Sequence, residues 1–209
     1  MYVVFLAGGI ASGKSTLASL LQTKGAIRID LDEVSRKVLA TGSPLLEEIA
    51  QIFGDDVLDS EGNLRRGLLA RKAFATKEAT RQLEAIELPA IFTELKRNLS
   101  RIKQESPHVL CIVEIPCLDR MGEALNLADE IVVLKAPLAQ RLERAEKKGM
   151  SPQDFTQRAA LQPSDEELVR IASSNQPFFS SVIHNTGDPF DLEEAASAIV
   201  SRAKDSNTV

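Results

Sequence analysis

Residues 7–16 read AGGIASGKST and follow directly on the apolar run Tyr2-Val3-Val4-Phe5-Leu6. A short apolar, β-branched run predicts a buried strand. The chain then leaves that strand through a stretch almost without side chains and enters a helix at Lys14-Ser15-Thr16. This satisfies G-x-x-x-x-G-K-[ST], with Gly8 and Gly13 as the spaced glycines. Glycines let backbone N–H groups converge on phosphate oxygens, and the start of a helix adds partial positive charge. Gly8, Gly9, Ile10, Ala11, Ser12 and Gly13 are therefore expected to cradle a nucleotide's phosphates. Lys14 is placed to reach the β and γ phosphates, and Ser15 to ligate Mg²⁺. Thr16 either touches the α phosphate or caps the helix. A glycine-rich turn alone is weak evidence of this chemistry; its position between strand and helix makes the reading specific.

Outward from this loop, short apolar runs recur at 26–29, 109–115, 131–134 and 181–183, separated by long stretches of helical period. That alternation predicts an α/β fold, a five-stranded parallel sheet with helices on both faces. Residues 31–104 are helical in pattern throughout, too long for one crossover, and broken at GDDVLDSEGN (54–63), whose Gly and Asp cluster marks a turn. Between Pro137 and Asn175 two further helices are expected, joined at 149–151 with Ser151 as N-cap, in the manner of a lid. DLEEAASAIVSRAKD (191–205) predicts an amphipathic closing helix. The expected division is a nucleotide-binding core of residues 1–30, 108–136 and 175–209, a helical acceptor-binding region of 31–107 and a lid of 137–174. Phe178-Phe179 reads as core or hinge packing rather than an adenine stack.

Composition excludes several classes. A net charge of -5 and 26% charged residues suit a globular protein and not a nucleic-acid binder that lives on phosphate contacts. No apolar run approaches the roughly 20 residues of a membrane span, so the expected setting is the cytoplasm, with no membrane partner. Cys111 and Cys117 read as small hydrophobes in a reducing compartment, and with His108 and His184 the only histidines there is no metal-ligand spacing. The amphipathic helices do not separate internal packing from self-association, and a monomer is the simpler expectation.

Two acids fall at strand ends: Asp30 in AIRIDLD, with Asp32 two residues on, and Glu114 in VLCIVEIP. Sites of open parallel sheets gather at the carboxyl ends of the strands. A carboxylate there can accept the proton of an attacking hydroxyl or hold Mg²⁺ through water, alongside Ser15. Each acid could instead cap the helix that follows, most readily Asp32.

At this point the chain resembles the dephospho-CoA kinase family, which phosphorylates the ribose 3'-hydroxyl of dephospho-CoA. GGIASGKST is similar to its phosphate loop. IDLDEVSRKVL, GSPLLEEIAQIFGDDVLDSEGNLRRGLL and LEAIELPAI run in the order of its acceptor region, and EIPCL resembles the segment after its third core strand. RAALQ and VIHNTGD resemble its lid end and its final strand and turn. The resemblance implies a three-layer P-loop kinase fold, ATP with Mg²⁺, and dephospho-CoA as acceptor. It places Asp30 on the catalytic acid, with Lys14 and the lid cation Arg144 acting on the transferring phosphoryl. Arg158 pairs with Gln162 in the lid, and Asn185 and Gly187 fall in the turn near adenine. Asp32, Arg36, Arg66, Leu88 and Pro116 fall in the acceptor site.

Departures from the family pattern lie outside the phosphate loop. Leu88-Pro89 stands where His-Pro is usual, Arg120 where the family carries an acid, and Glu114 where it carries Asp. In the lid, Glu143 and Lys147 occupy positions where arginine is expected, with Arg141, Arg144 and Lys148 within a turn. These leave two alternatives: a P-loop kinase for another small-molecule hydroxyl, or a nucleotide-binding regulator of weak activity.

Overall fold

The computed structural model describes residues 1–174 and 179–206, so the reading of Phe178 lies outside the described residues. The chain divides into two compact units, Met1–Asp30 with Ile102–Val209, and Leu31–Arg101.

The first unit is built on a parallel sheet of β1 (Tyr2–Gly8), β2 (Ile27–Asp30), β3 (Leu110–Glu114), β4 (Glu130–Lys135) and β5 (Phe179–His184). The strand order is β2-β3-β1-β4-β5, with β1 at the centre and buried along its whole length. Strands buried on both faces read as continuous apolar runs, which is why Tyr2–Leu6 shows no alternation. Side chains still alternate across the sheet. Tyr2, Val4 and Leu6 join Leu17 and Leu21 of α1 (Lys14–Thr23) and Leu192, Ala196 and Ile199 of α9 (Pro189–Ser206) in one core cluster. α8 (Asp165–Ser174) packs on β1, β4 and β5 without joining that cluster, giving helix–sheet–helix layering.

Two expectations need correction. Between α6 (Leu138–Lys147), α7 (Pro152–Ala160) and β5 the stretch holds three helices, not two, because α8 is a separate, sheet-packed element. Phe179 is not core: it opens β5 at an edge of the sheet, 52% exposed, with the Arg202 guanidinium 5.3 Å from its ring. Ser151 does cap α7, its hydroxyl accepting from the Asp154 N–H at 3.1 Å.

The second unit carries α2 (Leu31–Val38), α3 (Leu45–Phe53), α4 (Arg66–Ala73) and most of α5 (Lys77–Glu105). Its own core gathers Leu39, Leu46, Ile49, Phe53, Val57, Leu69 and Leu83. The break at GDDVLDSEGN is a turn closed by the Asp59 carboxylate, which accepts from the N–H groups of Glu61 and Asn63 at 2.9 and 2.8 Å.

Candidate active site

Parallel strands deliver their carboxyl ends to one edge, so the β1–α1 loop, Asp30 and Glu114 arise on the same side of the first unit. The loop takes a strained course, with Ala11 at φ 58, a region that residues with a side chain enter rarely. Gly13 precedes α1 at φ 111. A Cβ at Gly13 would strike the Asn185 amide, and one at Gly9 would strike the Arg141 guanidinium. The space freed by these glycines is thus used first by the protein's own side chains.

Those side chains bind the loop from outside it. Arg141, on α6, donates from Nε to the Ile10 carbonyl at 2.8 Å, lies 3.8 Å from Asp165, and stacks 6.0 Å from the Phe155 ring. Burial pushes its pKa below the usual arginine value, and Asp165 opposes that. Arg144, one turn on, reaches the Ala11 and Ser12 carbonyls at 3.5 Å and donates to Gln140 at 3.2 Å and Asn185 at 3.1 Å. Asn185 is buried and returns its amide N–H to the Ser12 carbonyl at 2.8 Å. The Gly187 N–H donates to Asn185 at 3.3 Å, and Gln140 donates to the Thr186 carbonyl at 2.5 Å. Gln162 accepts from the Ile10 N–H at 2.7 Å and donates to the Pro116 carbonyl at 3.5 Å.

Between loop and α6 lies a cavity of about 400 Å³, lined by residues 11–16 with Arg144, Lys147 and Lys148. The first turn of α1 opens onto it, and first-turn N–H groups have no carbonyl partner within their own helix. Lys14 curls back to the Gly8 and Gly9 carbonyls at 2.6 and 3.2 Å. The site thus offers amides, three lysine ammonium groups and a guanidinium around one volume, an arrangement suited to a polyanion.

Beside it, the Ser15 hydroxyl donates to Glu114 Oε2 at 2.8 Å, and Asp30 lies opposite Glu114 in the β2–β3 register. Glu114 is 6% exposed, and its Oε1 ion-pairs with Arg28 yet has no aligned hydrogen-bond donor. Among the described residues no group of three or more His, Cys, Asp or Glu could hold a metal by itself. A hydroxyl and two carboxylates do fit Mg²⁺, which is commonly held by one or two carboxylates, substrate phosphates and its own waters.

The predicted residues are not all gathered here. Arg158 is exposed on α7 and outside the cavity lining. Asp32, Arg36, Arg66 and Leu88 belong to the helical unit, where Arg66 donates to the Arg36 and Leu39 carbonyls at 3.1 and 3.3 Å. The roles of two residues do not show in the sequence pattern. Arg28 shares the short strand β2 with Asp30, and its signal is a cation between two isoleucines; Arg141, one of the lid cations, looks in sequence like any other cation of its helix.

A model of the dephospho-CoA kinase family matches residues 2–185. The chain belongs to that family. A dephospho-CoA kinase of Corynebacterium diphtheriae is 39% identical over 197 residues, 94% of either chain. Among solved structures, a Thermus thermophilus protein matches with a TM-score of 0.76 at 31% identity, over 96% of this chain and 97% of its own. The dephospho-CoA kinase from Campylobacter jejuni matches with a TM-score of 0.69 at 25% identity, over 98% of each. The fold is thus that of the P-loop kinases. Where this chain departs from the dephospho-CoA kinase pattern, the substituted groups have partners: Lys147 pairs with Glu143 at 2.6 Å, and Arg120 lies 3.5 Å from both Asp119 and the Cys117 sulfur.

Proposed function

We infer that this kinase transfers the γ-phosphoryl of ATP to the ribose 3'-hydroxyl of dephospho-CoA, giving CoA and ADP. The observation that carries the reading is the cation-lined cavity over the phosphate loop with the Asp30 and Glu114 carboxylates at the ends of neighbouring strands. Lys14 and the α1 amides would hold the terminal phosphates, with Arg144 countering the charge that spreads over the transferring group. Asp30 would accept the hydroxyl proton as that oxygen bonds to phosphorus and the bond to ADP breaks. Mg²⁺, held by Ser15 with Asp30 or Glu114 through water, would neutralise phosphate oxygens.

Asn185 and Gly187, in the turn tied to α6, are proposed to border the adenine, with Arg158 and Gln162 at the lid end. Arg36 and Arg66 are proposed to meet the acceptor's own phosphate, with Asp32, Leu88 and Pro116 around it. The proposal includes a lid of residues 137–174, a helical acceptor region of 31–107, and action as a cytoplasmic monomer. No helix among the described residues is long and apolar enough to cross a membrane.

A coupled assay of ADP formation with dephospho-CoA tests the reading. Lys14→Ala is expected to lower kcat about 10²–10³-fold, and Asp30→Asn about 10²–10⁴-fold. Wild-type protein that forms ADP with another hydroxyl compound and not with dephospho-CoA would overturn the acceptor; near-normal turnover by Lys14→Ala would overturn the site.

A further inference from the structure

Neither strand-end carboxylate stands without a cation. Arg28 lies two residues before Asp30 on β2, hence on the same face of the strand. Its Nη2 ion-pairs with Glu114 Oε1 and lies 3.7 Å from Asp30 Oδ2. Asp30 and Glu114 are opposite one another in register, and like charges so placed destabilise a sheet. Glu114 is almost wholly buried, where a carboxylate needs a partner. An apolar side chain would serve the strand itself better than Arg28, whose buried Nε has no hydrogen-bond partner.

The chain of contacts runs on to the phosphate loop. Glu114 faces Arg28 with one oxygen and accepts a hydrogen bond from the Ser15 hydroxyl with the other. A hydroxyl has one proton and two lone pairs. With the proton committed to Glu114, the lone pairs of Ser15 are turned away from that carboxylate. The plane of the Glu114 carboxylate sets this direction, and Arg28 is ion-paired to the carboxylate's other oxygen.

We propose that Arg28 is a positioning residue for phosphoryl transfer: it braces Glu114 and Asp30 so that Ser15 presents its lone pairs to the Mg²⁺ of the bound nucleotide. This rests on the kinase reading, and the test is therefore one of binding. ADP is titrated calorimetrically into wild type, Arg28→Gln, Arg28→Lys, Glu114→Gln and the double variant Arg28→Gln/Glu114→Gln, once in EDTA and once across a Mg²⁺ series. Melting curves confirm that each variant is folded.

In EDTA, Arg28→Gln is expected to bind ADP as wild type does. Its apparent Mg²⁺ affinity in the ADP complex is expected to fall about 10-fold, the lower end of what loss of an outer support costs a metal site. Arg28→Lys should fall between, keeping the charge and losing the planar fork. In the Glu114→Gln background, Arg28→Gln should change little more, because the two act in series. A purely structural Arg28 would lower the melting temperature and leave the Mg²⁺ dependence untouched, which overturns the proposal. A raised Mg²⁺ affinity overturns it as well, making Arg28 a competitor of the metal. Should Arg28→Gln melt below the assay temperature, Arg28→Lys carries the test, and Mg²⁺ dependence equal to wild type overturns the proposal. Wild-type protein that fails to bind ADP at all sinks the kinase reading instead.

Discussion

Arg144 shows how much one side chain does when its shape, and not only its charge, is used. One nitrogen of its fork reaches two loop carbonyls while the other holds Gln140 and Asn185, so a single guanidinium ties α6, the phosphate loop and the turn after β5 together. Lysine would bring the same charge on a point-like ammonium and could not span both sets. Hydrogen bonds to a charged group are worth about 1.5–3 kcal/mol each. Arg144→Lys should therefore lower the melting temperature and, by loosening the loop, raise the KM for ATP about tenfold, equivalent to about 1.4 kcal/mol; melting curves beside steady-state kinetics at fixed dephospho-CoA would show both, and an unaltered KM would refute this role. Residues with a chemical pattern around them, Lys14 and Ser15 behind their glycines, were legible in the sequence. Arg28 and Arg141 were not, because what defines each is a partner more than 80 residues away, Glu114 for one and the Ile10 carbonyl for the other.

Elements were easier to read than residues, and the one miss is informative. All five strands lie within a few residues of their expected bounds; the three inner ones, β3, β1 and β4, are buried almost throughout and carry the strongest apolar signal. α8 was absorbed into the lid because it follows α7 closely and its apolar stripe is short. Its start is written plainly in Ser164-Asp165-Glu166-Glu167, the S-x-x-E spacing of a capping box. The structure forms that box in both directions: the Glu167 N–H donates to the Ser164 hydroxyl at 3.2 Å, and the Ser164 N–H to the Glu167 carboxylate at 2.8 Å. The bond from the Ser164 N–H first, and the Ser164 hydroxyl second, hold the Glu167 carboxyl below the usual range. Because α8 lies on the sheet itself, a frayed start should weaken the first unit as a whole and not merely a surface helix. Ser164→Ala is expected to cost about 1 kcal/mol in urea unfolding, while Ser151→Ala, at the cap of α7, should register less in the same measurement. Equal losses at the two caps would argue that α8 belongs with α7 energetically after all.

At the scale of the whole sheet-bearing unit, the two ends of the strands have opposite duties. The carboxyl ends carry strained backbone and clustered cations, while the amino ends are locked by Glu130, fully buried at the start of β4. It accepts from Tyr2 of β1 at 3.3 Å, from Ser181 of β5 at 2.9 Å, and from Arg202 of α9 at 3.1 and 2.6 Å. A buried carboxylate so fully satisfied joins three strands and the closing helix into one body, on which the site at the opposite strand ends is carried. The lock also makes alkaline stability testable. Burial first, and the Glu130 charge second, push the Tyr2 hydroxyl up to about 12. The folded chain thus holds this proton more tightly than the unfolded one, whose tyrosine titrates near 10. The stabilisation is complete below pH of about 10 and is lost as pH rises toward about 12, the unfolded state binding fewer protons there. Tyr2→Phe keeps the ring and removes both the hydrogen bond and the titration, at a cost of about 1 kcal/mol near neutral pH. Urea unfolding of both proteins from pH 8 upward should show wild type ahead at first, the gap closing and then reversing above pH 10, since lysine titration is common to both. A gap that stays constant to pH 11.5 would mean that the Tyr2 hydroxyl meets no such environment and that the sheet's amino end is held by Arg202 and Glu130 alone.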